Sequence, residues 1–285
     1  MKSVWMIYPD KALQCADNAF SWFREEASRV GLSLDILSME SFVVIANPLH
    51  ILYKDKPITL PDTIVIRGYD YILSSAFETL GIKVINSTLS MQLSRNKMLT
   101  HYWLEKAGIP SPRTLYGRNI AYATAVNIFK SNSFIVKDII GSKGEQVWMV
   151  NSDKEYQDLL DKYSSEQLML QEYIKCSDGR DIRVWVIGGK AIACVERYSE
   201  TDFRSNFAQG GKVKEYPLTD EIKRLSEAAS NCLGMEFAGV DLLFTDDKDK
   251  FTICEVNGNA GFRTISKIGG ENIPHLFFEF ILQRS

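Results

Sequence analysis

Short apolar runs alternate with amphipathic stretches over the first part of the chain. Strands are predicted over residues 3–8, 32–37, 63–66 and 83–85, and helices over residues 12–30, 71–80 and 95–107. A glycine directly follows several of these helices, as is typical of a helix end. Strands joined by helices in this order predict a small parallel sheet. No Gly-x-Gly-x-x-Gly follows the first strand, which argues against a dinucleotide-binding fold.

The pattern changes at residues 110–116, where prolines and turn residues indicate a boundary. We therefore predict three regions: an N-terminal α/β domain (1–112), a central α+β lid (113–174) and a C-terminal α+β domain (175–285). In the lid, strands are predicted at 134–137, 146–150 and 168–171, and helices at 121–130 and 154–162. In the C-terminal domain, hairpins are predicted at 181–197 and 240–256, and helices at 219–232 and 272–283.

The last hairpin carries acidic residues inside apolar strands. If Thr245 pairs with Phe251 across the charged turn, Asp241 lies directly opposite Glu255. Like charges placed opposite each other destabilise a strand pair, so a positive group is expected between them. Asn257 lies on the same face as Glu255, and three oxygen donors there suit a hard cation such as Mg²⁺. An ordinary edge hairpin with a polar outer face is the alternative.

A glycine-bracketed turn, Gly141-Ser142-Lys143-Gly144, joins two lid strands. Exposed backbone N–H groups and a lysine at such a turn suit a flap over phosphate groups. A plain hairpin turn explains the same four residues and is the simpler interpretation. The sequence leaves both interpretations open at this position.

Charged residues also mark the region between the two C-terminal hairpins. The stretch 201–212 has no regular period and carries Arg204, and loops of this length inside compact domains are usually functional or disordered. The preceding hairpin carries Asp181, Arg183 and Arg197 among apolar residues. These charges either serve a site or pair with one another on a solvated face.

Composition limits the class of protein. The chain has 285 residues, 45% of them hydrophobic, and a net charge of −3, which gives no reason to expect nucleic acid as a partner. No stretch is long and apolar enough to predict a membrane span. Five cysteines without CxxC spacing indicate reduced thiols, and together with the absence of a signal-peptide pattern they predict a cytoplasmic protein. Three histidines, His50, His101 and His275, lie near no nucleophile motif and are predicted to be surface or packing residues.

Six segments together resemble the RimK-like ATP-grasp ligases, a family that includes LysX-type amino-acid ligases and deazaflavin-coenzyme glutamate ligases. They are VINSTLSMQLSRNKMLTHYWLEKAGIPSP, FIVKDIIGSKGEQV, LQEYIKCSDGRDIRVWVIGG, DFRSN followed by QGG, AGVDLL, and EVNGN. The resemblance spans about residues 63–285. It implies the three-part ATP-grasp fold, with the nucleotide held between the lid and the C-terminal domain.

The resemblance also implies roles for individual residues. Those assigned to ATP are the phosphate lysines Lys97 and Lys137, the flap residues Gly141, Ser142 and Gly144, the adenine hinge Gln171, Glu172, Tyr173 and Ile174, the ribose acid Asp181 and its neighbour Arg183, and Ser205 and Asn206. Arg204 is the implied catalytic residue at the γ-phosphate and the reacting carboxylate. Asp241, Glu255 and Asn257 match the family's metal ligands, and Arg67, Gly210 and Gly211 match positions near the acceptor substrate. Asn257 is followed by Gly-Asn-Ala-Gly-Phe-Arg where one relative has Ala-Ser-Pro-Gly, which leaves the substrate undetermined.

The implied reaction is carboxylate activation by ATP with Mg²⁺, or Mn²⁺ as a substitute cation. A substrate carboxylate attacks the γ-phosphorus, and an amine then displaces phosphate from the acyl phosphate to form an amide. The expected partners are a small-molecule, peptide or protein carboxylate and an amino acid, with glutamate among the candidates; assembly into homo-oligomers is left open. An ATP-grasp kinase and a non-catalytic ATP-binding protein are the alternatives, and ADP formation that depends on an added amino acid separates ligase from kinase.

Overall fold

The computed structural model describes residues 1–14, 19–141, 146–205, 211–246, 250–262 and 270–284. The N-terminal strands are β1 (Lys2–Tyr8), β2 (Leu32–Ser38), β3 (Phe42–Ile45), β4 (His50–Tyr53), β5 (Lys56–Pro57), β6 (Thr63–Ile66) and β7 (Lys83–Ile85). The first helices are α1 (Asp10–Gln14), α2 (Ala19–Arg29) and α3 (Tyr71–Thr79). β2-β1-β6-β7 form a parallel sheet in that order, which confirms the predicted βαβ arrangement.

A second, antiparallel sheet of β3, β4 and β5 is present that the sequence did not predict. Its turn between β4 and β5 places Lys54 and Asp55 at positive φ (50° and 60°), as a tight hairpin turn requires. Ile51 of this sheet packs into the same core as Trp5 and Phe77. The small sheet therefore covers one side of the N-terminal parallel sheet.

The helix predicted at 95–107 corresponds to α5 (Lys97–Lys106), and a further helix, α4 (Thr88–Arg95), directly precedes it. Asn96 separates them, because its side chain accepts hydrogen bonds from the backbone N–H groups of Met98 and Leu99 and so caps α5. The prediction missed α4 and this break. The cap fixes Lys97 as the first residue of α5.

The lid is one antiparallel sheet with two helices. Its elements are β8 (Thr114–Leu115), α6 (Tyr122–Phe129), β9 (Phe134–Asp138), β10 (Val147–Val150), α7 (Asp153–Leu160) and β11 (Leu168–Glu172). The strand order is β10-β9-β11-β8, and Phe134, Val136 and Leu170 pack against the two helices. Each element lies within a few residues of its predicted position, apart from β8, which was not predicted.

The C-terminal sheet is antiparallel, in the order β14-β13-β12-β15-β16. Its elements are β12 (Arg180–Ile187), β13 (Lys190–Tyr198), β14 (Lys212–Glu215), α8 (Asp220–Cys232), β15 (Phe237–Phe244), β16 (Phe251–Asn257) and the helix α9 (Ile273–Arg284). Gly188 and Gly189, both at positive φ (58° and 78°), form the predicted turn between β12 and β13.

The two faces of this sheet pack against different parts of the chain. One face, with Val184 and Leu242, packs on α8 together with Leu104 of α5. The other face, with Trp185, packs on α9 and on the N-terminal parallel sheet. Residues before 112 thus contribute to two cores, and the predicted domain boundaries stay a prediction.

Candidate active site

One face of the C-terminal sheet is apolar at one end and charged at the other. Trp185 and Ile187 of β12 lie at the apolar end, in the core shared with the N-terminal sheet. Asp181 and Arg183 lie on the same face, because side chains alternate along a strand. The charged residues therefore lie on the same sheet face as the apolar residues whose positions are fixed by packing in the core.

A cavity lies between this charged end and the lid. The predicted residues that line it are Lys97, Lys137, Gly141, Gln171, Glu172, Tyr173, Ile174, Asp181, Arg204, Ser205, Asp241 and Glu255. Arg183 and Asn257 lie behind it and contact Asp241. Ser142, Gly144, Asn206 and Gly210 are outside the described residues, whereas Gly211 is buried next to β14. Most of the described candidates are thus brought together.

The two lysines are held by the lid. Lys97 Nζ donates to the backbone oxygen of Gly141 at 2.5 Å and lies 3.8 Å from Glu255 Oε1. Burial lowers the pKa of Lys97, and the positive charge of Lys137 lowers it further, against the opposing effect of Glu255. Lys137 Nζ donates to Gln171 Oε1 at 2.6 Å and contacts Cys254 Sγ at 3.6 Å. Both ammonium groups therefore line the cavity with fixed positions.

Asp241 is the centre of a buried network of charges. Arg183 donates to both of its oxygens, and Arg197 Nη2 lies 3.0 Å from Oδ2. Arg197 also donates to both oxygens of Asp181, at 2.7 and 2.5 Å. Burial would raise the pKa of Asp241, but the two arginines outweigh it and lower that pKa. One arginine, Arg197, thus links Asp181, the implied ribose acid, to Asp241, an implied metal ligand.

The predicted pairing of Asp241 with Glu255 is confirmed, but the predicted pairing of Thr245 with Phe251 is wrong. Phe251 pairs with Phe244, and a bulge between Asp241 and Leu242 then shifts the register by one residue. The bulge inserts one extra residue on β16. Without it, Asp241 would face a thiol rather than a carboxylate.

The positive charge expected beside Asp241 comes from arginines. Repulsion between the two carboxylates therefore does not by itself require a metal. Among the residues that the structure describes, no group of three or more His, Cys, Asp or Glu side chains forms a metal site. A cation here would rely on two carboxylates, one amide oxygen, and water or substrate oxygens, which is how Mg²⁺ is usually held.

The donor set fits such a cation. The Glu255 side chain is 29% exposed, and its ion pair with Lys97 spans 3.8 Å. Asn257 donates its Nδ2 to Asp241 Oδ2 at 3.3 Å, which leaves its amide oxygen for a cation. Asp241 Oδ2 also accepts from two arginines, so Oδ1 is the oxygen with remaining acceptor capacity.

Arg204 is engaged by a neighbouring carboxylate. Its Nη2 donates to Asp202 Oδ2 at 2.7 Å, and its Nε and backbone N–H donate to Oδ1 at 3.0 and 2.8 Å. The hydrogen bonds with Asp202 raise the pKa of Arg204 and hold it charged. The guanidinium lines the cavity, where an incoming phosphate would compete with Asp202 for it.

The hinge differs in detail from what the resemblance implies. The Glu172 carboxylate, expected to accept from the adenine amino group, pairs with Arg113 Nε at 2.8 Å. The Gln171 side chain is buried and turned towards Lys137. Burial raises the pKa of Tyr173, which keeps its phenol protonated. Backbone groups of residues 171–174 therefore remain the adenine-facing candidates.

Arg67 lies apart from the cavity lining, at the carboxyl end of β6. Its Nη2 donates to the backbone oxygen of Ala260 at 2.7 Å, and its guanidinium lies 4.7 Å from the ring centroid of Phe262. In the parallel sheet, β1 has β2 on one side and β6 on the other, and ligands of α/β sheets bind at the carboxyl ends of strands at such a switch point. This position agrees with a substrate role, which stays a prediction.

Arg197 was not recognised as a site residue from the sequence. A two-residue turn at Gly188-Gly189 would pair Asp181 with Glu196, and the bulge between Trp185 and Val186 moves the pairing to Arg197. In a regular hairpin two carboxylates, Asp181 and Glu196, would lie opposite each other. This unfavourable pair is the feature of the sequence that could have indicated a shifted register. His101, predicted to be a surface or packing residue, is buried and contacts Gln171 through a ring nitrogen.

Residues 94–281 match the family model of the RimK-like ATP-grasp domain. The chain is 32% identical to N-acetylaspartylglutamate synthase A of Mus musculus over 248 residues, which are 82% of this chain and 65% of that protein. It is 32% identical to tetrahydromethanopterin:alpha-L-glutamate ligase of Methanocaldococcus jannaschii over 211 residues, 71% of each chain.

Solved structures share the fold. The ATP-grasp ligase PsnB, complexed with minimal precursor, Mg and ADP, superposes with a TM-score of 0.74 at 19% identity, over 99% of this chain and 97% of that one. The ATP-grasp architecture expected from the sequence is therefore confirmed. No helix among the described residues is long and apolar enough to cross a bilayer. The sequence motifs, the fold and the family model agree, and the chain belongs to the RimK-like ATP-grasp family.

Proposed function

We propose that the protein is an ATP-dependent carboxylate–amine ligase that forms an amide through an acyl phosphate and releases ADP and phosphate. The observation that carries the proposal is the convergence of Lys97, Lys137 and Arg204 on one cavity that Asp241 and Glu255 also line. Three basic side chains and two carboxylates in one cavity suit a triphosphate and its counter-ion. The named relatives support the reaction class, since they are ligases or synthases.

We infer the direction of the nucleotide from the residues that line the cavity. Asp181, which Arg197 links to Asp241, is the candidate for the ribose hydroxyls. Residues 171–174 also line the cavity, and their backbone groups are the candidates for adenine. Lys97 and Lys137 then meet the phosphates, and Arg204 lies where charge develops during transfer.

Glu255, Asn257 and Asp241 would hold Mg²⁺, or Mn²⁺ in its place. Such a cation, when bound, neutralises phosphate charge and fixes the triphosphate. The structural neighbour PsnB has been solved with Mg and ADP, which supports this part of the proposal. Lys97 lies between the cation site and the lid, because it reaches both Glu255 and Gly141.

The protein's own residues act by charge and position. Arg204 stabilises the charge that develops when the substrate carboxylate attacks the γ-phosphorus. The lysines hold the phosphates in line with that carboxylate, so no protein nucleophile is needed. An amine then displaces phosphate and forms the amide.

The substrate class is a carboxylate, on a small molecule, peptide or protein, together with an amino acid. Glutamate is a candidate because the Methanocaldococcus relative is named as an alpha-L-glutamate ligase. A cytoplasmic location belongs to the same proposal and is supported by the four free cysteines among the described residues.

The test is to follow oxygen from substrate to product. Enzyme, Mg²⁺, ATP and an amino acid are incubated with a panel of ¹⁸O-labelled carboxylates, and the label is located by mass spectrometry. We expect ADP and one ¹⁸O atom in inorganic phosphate, and hydroxamate when hydroxylamine replaces the amine. Lys137→Met is the matched inactive control. Label in AMP, or a phosphorylated alcohol without hydroxamate, would show an adenylating enzyme or a kinase instead.

A further inference from the structure

A histidine outside the cavity lining contacts a residue that holds one of the phosphate lysines. His101 is on α5, one turn after Lys97, and its ring is buried with 6% of the residue exposed. Its Nε2 lies 2.8 Å from Gln171 Nε2. Gln171, itself 2% exposed, accepts from Lys137 Nζ at 2.6 Å through its other amide atom.

The chemistry of Lys137 fixes the orientation of this amide. An ammonium group can only donate hydrogen bonds, so the atom of Gln171 that faces it has to be the oxygen. The amide nitrogen then points to His101. Because that nitrogen can only donate, His101 Nε2 has to be an unprotonated acceptor.

Thr114 confirms the same assignment from the other side. Its hydroxyl donates to the backbone oxygen of Pro112 at 2.9 Å, so its oxygen has lone pairs left to accept. Gln171 Nε2 lies 3.1 Å from this oxygen. Both N–H bonds of the amide are therefore used, one on Thr114 and one on His101.

The ring proton of His101 is consequently on Nδ1, which is buried and has no hydrogen-bond partner among the described residues. Burial, together with the smaller effect of the positive charges of Lys137 and Lys97, lowers the pKa of His101 to about 3. The ring is thus neutral at neutral pH. A protonated ring could not accept from Gln171 and would add a third positive charge beside the two lysines.

We propose that His101 is a positioning residue that acts through Gln171 to hold Lys137 towards the phosphates of the bound nucleotide. The inference rests on the proposed function, because it takes Lys137 to be a phosphate ligand. Without the acceptor at His101, the NH₂ group of Gln171 loses one of its two hydrogen bonds. Its NH₂ group can then turn towards the ammonium, which it repels.

The experiment measures affinity for ADP and for adenosine by calorimetry in four variants: His101→Leu, His101→Gln, Lys137→Met, and His101→Leu with Lys137→Met. Losing one fixed hydrogen bond to a charged group is expected to weaken ADP binding about tenfold in His101→Leu, with adenosine binding unchanged. His101→Gln places an amide oxygen near the former Nε2 and should restore most of the ADP affinity. Circular dichroism and thermal unfolding check that each variant is folded.

The double variant decides between positioning and packing. If His101 acts through Lys137, His101→Leu has no further effect on ADP binding once Lys137 is replaced. Equal loss of ADP and adenosine binding in His101→Leu, failure of His101→Gln to restore ADP binding, or additive effects in the double variant would overturn the inference. A wild-type protein that does not bind ADP, or an unaffected Lys137→Met variant, would instead overturn the proposed function.

Discussion

Asp241 and Glu255 lie directly opposite each other on β15 and β16, although the register nearer the turn would pair Asp241 with Cys254. The difference is one bulged residue. Bulges re-aim side chains next to functional sites. Here the bulge brings Glu255 opposite Asp241, so that two neighbouring strands each place one carboxylate on the wall of the cavity.

The first prediction concerns that pair. Glu255→Gln keeps the shape of the side chain but removes the more available carboxylate of the proposed cation site. We expect turnover dependent on Mg²⁺ to be lost while the thermal unfolding temperature stays close to that of the wild type. Glu215→Gln, on the exposed strand β14, is the matched control and should keep full activity. Turnover near the wild-type rate in Glu255→Gln would remove Glu255 from the cation site.

The second prediction separates chemistry from binding at Arg204. Replacing it by alanine removes charge stabilisation needed only during transfer, so kcat should fall about 100-fold or more, which is about 3 kcal/mol. Affinity for ATP should fall much less. Calorimetry alongside initial rates tests this, and an equal loss of both would make Arg204 a binding residue only.

The third prediction concerns the partner of Arg204. Asp202 accepts from both the side chain and the backbone of Arg204, and an incoming phosphate has to compete with it. Asp202→Asn keeps the size of the group and removes the competing charge. ATP affinity should increase severalfold, measured by calorimetry at constant ionic strength. A lower affinity would mean that Asp202 orients Arg204 for the phosphate rather than competing for it.

The fourth prediction concerns the buried arginine that joins Asp181 and Asp241. Arg197→Met leaves two buried carboxylates with fewer partners and should lower the free energy of unfolding by about 3–5 kcal/mol, measured by urea denaturation. Arg224→Met breaks an exposed ion pair with Glu221 and should change it by less than about 1 kcal/mol. Similar small losses in both variants would contradict the assigned role of Arg197.

The fifth prediction is a pH dependence of stability caused by His101. Its pKa is about 3 in the folded protein and 6.5 as a free side chain, so the unfolded chain binds the extra proton between these values. The part of the unfolding free energy that depends on a neutral His101 is fully present above pH 6.5. It is lost as pH falls towards 3, by about 1.4 kcal/mol per pH unit. The difference in unfolding free energy between the wild type and His101→Gln should follow this slope. A difference that does not change with pH would mean that His101 titrates normally.

Periodicity located most helices and strands, because apolar positions at helical spacing are buried, as Phe23 and Ala27 of α2 and Ile222, Leu225 and Ala229 of α8 show. The sheet of β3, β4 and β5 was missed because its strands, of four, four and two residues, do not flank a predicted helix as the equally short β6 and β7 do. Within the site, counting residues from an assumed Thr245–Phe251 pair placed Asp241 opposite Glu255, although that starting pair is wrong. Local sequence rules assume regular strands and do not include bulges.

Contacts between segments that are distant along the chain could not be predicted from the sequence. His101 and Gln171 are 70 residues apart, and only the packing of α5 against the lid brings them together. Arg197 was visible as a charge on a strand but not as a link between two carboxylates. Side-chain networks of this kind depend on register and helix packing together.

One face of the C-terminal sheet has an apolar end and a charged end, and this division also affects which strand register forms during folding. The opposite face of the same strands is apolar and packs on α8, with Ile182 and Val184 on β12. A strand that paired one residue out of register would turn Asp181 and Arg183 into that core. Because an unpaired buried charge costs several kcal/mol, slipped pairings are strongly disfavoured. The residues proposed to bind the nucleotide therefore also select the correct strand pairing during folding.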